Sequence, residues 1–160
     1  NIFLILFVLE KHEIHIAFMR EALKQAKLAK SINEVPVGAI IVKNSKIIGS
    51  GHNQNISSHS VSAHAEINAI NKAGLFLKNY RLVECDMYVT VEPCHMCAKA
   101  IVDARLDKLV FAAKEPKTGS ICSIDNFLEN KALNHLVEFK YGLSEEISAK
   151  LLKDFFKQKR

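Results

Sequence analysis

The run Pro93-Cys94-His95-Met96-Cys97 places two cysteines three residues apart, directly after a proline and a short apolar segment from Met87 to Val91. Proline is favoured at helix starts, where its missing N–H is not needed, and a three-residue spacing on a helix puts both sulfurs on one face. The positive end of a helix also stabilises thiolates, the form a metal needs. This is metal-ligand spacing rather than a disulfide pair. A second junction, His64-Ala65-Glu66, opens the helical pattern of Ala65 to Lys72 and supplies a further ligand. Two helix N-termini must then meet at one point, and in layered α/β sheets such points lie at strand ends.

His64, Cys94 and Cys97 make three protein ligands and leave a fourth tetrahedral position for water, the open arrangement of catalytic rather than structural zinc. One Zn²⁺ and two thiolates sum to zero, so hydroxide at the fourth position makes the site anionic and calls for the positive potential of the two helix N-termini. Glu66, two residues beyond His64 in a first helical turn, can converge on the same water and act as general base and then general acid. His95 points elsewhere on its helix, and His12, His15, His52, His59 and His135 lack ligand spacing. Cys85 and Cys122 read as small core residues.

The surrounding pattern predicts an α/β fold. Apolar residues recur at helical spacing from Ile14 to Ala29. Val37 to Val42 and Lys46 to Gly51 read as a hairpin joined by Lys43-Asn44-Ser45. The helix from Ala65 has Gly74 as its stop. Met87 to Val91 and Leu106 to Ala112 are strands, Cys94 to Ala104 the helix between them, Leu136 to Phe139 a last strand and Ser144 to Lys157 a closing helix with glutamates near its start. The expectation is a three-layer α/β/α architecture, a mixed five-stranded sheet with helices on both faces. Residues 12–160 form one domain, since 160 residues of which 49% are apolar suffice for a single core.

Residues 1–11 are an apolar extension to which no function is assigned. The run from Ile2 to Leu9 is eight residues long, against the ~20 needed to span a bilayer. It also lacks the charge and cleavage features of a signal peptide. No membrane association is expected, and the cysteine usage indicates a reducing compartment. Twenty-two Lys and Arg against 17 Asp and Glu give a net charge of +5, which favours an anionic partner. Five cations (Lys150, Lys153, Lys157, Lys159, Arg160) against one acid, Asp154, put much of the surplus at the C-terminus.

His-x-Glu followed by Pro-Cys-x-x-Cys is the known signature of the zinc nucleobase deaminases, and on these residues the chain resembles the cytidine deaminase superfamily. The wider pattern over residues 12–160 is similar to the bacterial tRNA-specific adenosine deaminase family. It includes Val35-Pro36-Val37-Gly38-Ala39, Gly51-His52-Asn53, Ala63-His64-Ala65-Glu66, Val91-Glu92-Pro93-Cys94, Lys117-Thr118-Gly119 and Asp154-Phe155-Phe156 followed by basic residues. Glu115 stands where that family commonly has aspartate, and the segment before His12 is outside the likeness.

The resemblance implies a cytoplasmic hydrolase that binds one zinc per subunit and deaminates the wobble adenosine of a tRNA anticodon to inosine, with Glu66 as the proton shuttle. It further implies a homodimer and an anticodon stem-loop as partner. Asn53 would hydrogen-bond the flipped base or its ribose. Pro36, Val37 and Val91 would form pocket walls, and the main-chain amide of Ala65 would orient water or base. Lys117 and Thr118 would meet anticodon phosphates, and Phe155, Phe156 and Arg160 on the last helix would contact RNA. For the phenylalanines, packing into the core is the competing expectation. Two other readings share the metal site: a deaminase of free guanine, cytosine or a nucleoside, and a zinc-stabilised RNA-binding subunit without activity.

Overall fold

The computed structural model describes residues 2–159, so expectations for Arg160 lie outside the described residues. Five strands form one mixed sheet in the order β2-β1-β3-β4-β5: β1 Gly38–Lys43, β2 Lys46–His52, β3 Asp86–Val91, β4 Lys108–Ala113 and β5 Glu138–Tyr141. Strand β1 is antiparallel to both β2 and β3, while β3–β4 and β4–β5 are parallel. Thus β2 to β5 all run the same way and β1 alone runs against them. Their C-terminal ends, together with the residues that lead into β1, share one edge of the sheet.

Alternation along the strands divides the core into two layers. Ile40, Val42, Tyr88, Val110 and Ala112 face Met19, Ala22 and Leu23 of helix α1 (Ile2–Ser31) and Leu151 of helix α4 (Glu145–Gln158). Ala39, Ile41, Met87, Val89, Leu109 and Phe111 face the other way, onto helices α2 (Ala65–Leu77) and α3 (His95–Asp103). This is the α/β/α sandwich that the alternating elements predict. Gly51 lets α2 lie directly on β2, because a Cβ there would come within 2.5 Å of the Ala65 carbonyl oxygen. Thr90 ties the layers together, its hydroxyl accepting the Gly38 N–H at 3.1 Å while its carbonyl accepts the Ser148 hydroxyl.

Several boundaries differ from the sequence-based expectation. Helix α1 does not begin at Ile14 but continues back to Ile2, so the apolar extension is its first three turns. From Ile2 to Leu9 those apolar side chains are 54–79% exposed. Gly74 does not stop α2. The helix runs on to Leu77 and closes on Lys78, whose φ of 52° is left-handed, with the Asn79 N–H returning to the Gly74 carbonyl. The hairpin loop is only Asn44-Ser45, both at positive φ, a two-residue turn matched to strand twist. Pro93 precedes the helix rather than opening it, since Cys94 is the N-cap of α3. The last strand starts two residues later than its apolar run, at Glu138.

Candidate metal centre and active-site cleft

The shared sheet edge brings the two predicted junctions together. His64 is the N-cap of α2 and Cys94 the N-cap of α3, both with extended backbone and neither with a side-chain capping bond. Their side chains are thereby free to turn toward each other. His64 Nδ1 lies 3.7 Å from Cys94 Sγ and 3.4 Å from Cys97 Sγ, and the three ligand atoms lie within 4.8 Å of one another. Cys97 is buried, whereas His64 and Cys94 are partly open to the cleft. Such a set could hold one metal ion with a position left over on the open side.

The two thiols and the imidazole share protons among themselves. The Cys97 thiol donates to Cys94, which, with His64 beside it, draws Cys94 down to about 3 despite its burial. The same donation pushes Cys97 up. The hydrogen bond to Cys94 raises His64. Glu66, in the first turn of α2, is 4% exposed. Burial pushes its carboxyl above the usual range, opposed by its main-chain N–H and by His64. A buried acid beside the cluster therefore holds a proton more readily than an exposed glutamate, as a proton-transfer group must.

A cleft of about 250 Å³ opens over these groups, walled by Val35, Val37, Asn53, Asn55, His64, Glu66, Val91, Glu92, Cys94, Glu115, Thr118, Leu152 and Phe156. Of the residues singled out from the sequence, Asn53, Val37, Val91, Thr118 and Phe156 therefore join His64, Cys94 and Glu66 on its wall, while Cys97 is buried beside them. Four others do not line it. Pro36 and Ala65 are buried behind it, Lys117 is exposed outside it, and Phe155 is 6% exposed and packs edge-on against Phe156 at 5.4 Å. The Ala65 N–H is already bonded to Asn53 Oδ1 at 2.8 Å, so it is not available to substrate. At the C-terminus Lys150 pairs with Asp154 at 2.6 Å and Lys159 lies 5.4 Å from the Phe155 ring centre.

Val35, Asn55, Glu92, Glu115 and Leu152 were not named as site residues by sequence reasoning. Leu152 had a readable signal, four residues before Phe156 and hence on the same helix face. Glu92 is 3% exposed. Burial raises its carboxyl, but the Ser123 hydroxyl and the N–H groups of Cys122, Glu115 and Ser123 outweigh that and hold it below the usual range.

A family model for MafB19-like deaminases matches residues 13–160. A tRNA-specific adenosine deaminase of Rickettsia bellii (strain RML369-C) is 46% identical over 144 residues, 89% of this chain and 99% of that one. The tRNA-specific adenosine deaminase of Buchnera aphidicola subsp. Baizongia pistaciae (strain Bp) is 44% identical over 150 residues, 93% of this chain and 92% of its own. The chain belongs to the tRNA-specific adenosine deaminase family. Among solved structures, this deaminase is similar to one from a study of A-to-I editing by tRNA:A34 deaminases at the wobble position of transfer RNA, with a TM-score of 0.83 and 39% identity over 85% of this chain and 99% of that chain. Among the described residues of the deaminase, no helix is long and apolar enough to cross a membrane.

Proposed function

We propose that this deaminase hydrolyses the wobble adenosine of a tRNA anticodon to inosine and ammonia, using one zinc ion per subunit. The observation that carries the reading is Glu66, a buried side chain on the same cleft wall as His64 and Cys94, which with buried Cys97 form the cluster that could hold a metal. A metal serving the fold alone has no use for an unligated acid at that point.

The ligand atoms fit zinc. Tetrahedral bonds of about 2.3 Å to sulfur and 2.0–2.1 Å to nitrogen require an S···N separation of about 3.5–3.6 Å, and the two separations here are 3.7 and 3.4 Å. Zinc, when bound, supplies the Lewis acidity that makes a water nucleophilic near neutral pH. Glu66 accepts the proton which that water gives up and delivers it to the purine ring nitrogen beside C6. It then takes the second proton from the hydroxyl now on C6 and passes it to the departing amine, so that the C6–N bond breaks, the water oxygen remains as the carbonyl and ammonia leaves. Asn53, its oxygen held by the Ala65 N–H, presents its amide NH₂ toward the cleft as a donor for the base or ribose. Val37, Val91 and Phe156 exclude water from around the ring.

A cleft of about 250 Å³ suits one extruded heterocycle, and extruding a base from a single-stranded loop is cheap compared with opening a duplex. We assign the flanking phosphates to Thr118 on the cleft wall and to exposed Lys117 next to it in the chain. A homodimer and a cytoplasmic location belong to the same reading. Four free cysteines suit a reducing compartment, and sedimentation measures the assembly. The deciding experiment incubates the protein with an anticodon stem-loop bearing wobble adenosine and, separately, with free guanine, cytosine and nucleosides. A mass gain of about one dalton in the RNA, amine replaced by carbonyl oxygen, is expected. Turnover of free bases with no inosine in the RNA would overturn the proposal.

A further inference from the structure

Glu92 lies two residues before the ligand Cys94, at the end of β3, and is 3% exposed. Among the described residues no ion pair includes it. Its carboxylate is instead surrounded by donors from one loop. Oε1 accepts the N–H groups of Ile121, Cys122 and Ser123 at 3.1, 2.7 and 2.9 Å. Oε2 accepts the Glu115 N–H at 3.0 Å and the Ser123 hydroxyl. The loop closes down on this group so tightly that a Cβ at Gly119 would stand 2.3 Å from Oε2. Ser120 adds its N–H and hydroxyl to the Pro93 carbonyl at 2.9 and 3.1 Å.

We infer that Glu92 is a positioning residue: it pins both ends of the 115–123 loop to the strand end that carries Cys94, and so sets where the cleft mouth stands relative to the metal. The inference rests on the proposed RNA-deaminase reading for its effect on substrate, but not for the anchoring itself. Between the pinned ends only residues 116–118 arch outward, and Glu115 and Thr118 line the cleft. Both carboxylate oxygens must accept, which is why an acid is needed. An amide in the same place keeps the three N–H bonds from residues 121–123 but turns its NH₂ onto the Glu115 N–H, donor against donor, while the Ser123 hydroxyl can rotate to accept from it. Glu92→Gln therefore releases one end of the loop and leaves the other.

The test compares wild type, Glu92→Gln and Gly119→Ala as purified, zinc-loaded full-length chains. Hydrogen exchange at the amides of Glu115 and residues 121–123 reads the anchor without substrate, and steady-state kinetics on the anticodon stem-loop read its consequence. In Glu92→Gln the Glu115 amide should exchange faster, at unchanged zinc content. KM should rise about tenfold, the effect of one lost charge-assisted bond, while kcat stays within about twofold. Gly119→Ala forces the loop off the same carboxylate from the opposite side and should give the same KM-only change. It also carries the test if Glu92→Gln fails to fold. Unchanged exchange at Glu115 or an unchanged KM in the folded variants would overturn the inference, as would loss of zinc or a fall in kcat at constant KM. If wild type does not act on the stem-loop, the proposed substrate fails, while hydrogen exchange still decides the anchor.

Discussion

The side-chain oxygen of Asn53 accepts the main-chain N–H of Ala65 at 2.8 Å in a buried setting. His64, which occupies the N-cap position of α2, makes no capping bond because its imidazole is turned to the cysteines. A residue from the neighbouring strand end thus does the capping that the N-cap residue has given up for metal binding. Asn53→Ala leaves a buried N–H without an acceptor, which costs about 1–3 kcal/mol and should lower Tm by roughly 2–10 °C. Asn53→Asp keeps the acceptor but loses the NH₂ donor toward the cleft. It should hold Tm near wild type while weakening turnover about tenfold or more. Calorimetry and kinetics on the pair separate the two duties.

Glu66→Ala should keep the fold and the metal yet lose at least ~10²-fold in rate, the low end for a proton-transfer group. Zinc content by elemental analysis and single-turnover kinetics check both halves. A variant as active as wild type would mean that another group moves the proton.

Removing the metal should abolish activity and lower Tm together, with both restored by added zinc. Cys94→Ala should do the same irreversibly, because added zinc cannot replace a deleted ligand. Retained zinc in Cys94→Ala would contradict the ligand set.

Adjacent phenylalanines on α4 should behave oppositely. Phe155 is 6% exposed and Phe156 50% exposed on the cleft wall. Phe155→Ala should cost about 3–5 kcal/mol of stability, as core truncations do. Phe156→Ala should leave Tm almost unchanged and raise KM for the stem-loop. Thermal melts beside RNA titrations distinguish the two outcomes.

His15 bonds Tyr88 through its ring Nδ1 at 2.6 Å, and burial, then Lys140 and Lys108, hold its pKa below 6.5. A histidine depressed in the folded state contributes stability that is complete above its unfolded pKa and is lost as pH falls below it. Tm should therefore decline between about pH 7 and pH 5, and His15→Gln should flatten part of that decline. Parallel slopes for the two proteins would assign the effect to other groups.

The sheet, its helices and the meeting of His64, Cys94 and Cys97 were readable because each rests on local spacing: Cys94 and Cys97 on one helical face, Ile40 and Ile41 on opposite sides of a strand. Boundaries failed where a tertiary or backbone feature overrode the local signal. Gly74 looked like a stop, yet Lys78 takes the left-handed position because the Asn79 N–H reaches back over it. The helical state of Ile2 to Leu9 carries no amphipathic pattern, so periodicity could not report it. Glu92 and Asn55 were missed as cleft residues because their importance lies in which distant groups they meet. Glu92 bonds residues 23 to 31 positions away, a relationship that no spacing rule encodes.

Strand direction has a last consequence, for the order of events during folding. His64 and Cys94 are 30 positions apart and come within reach only once β1 has seated itself between β2 and β3. Until that non-local pairing is complete, no three-ligand cradle exists for an ion to capture, and pairing of this kind is the slow part of assembly. An ion held by His64, Cys94 and Cys97 would thus be a late lock on a finished sheet rather than a template for it. Metal supply would then govern how long the native state persists, while the rate at which it forms belongs to the strands.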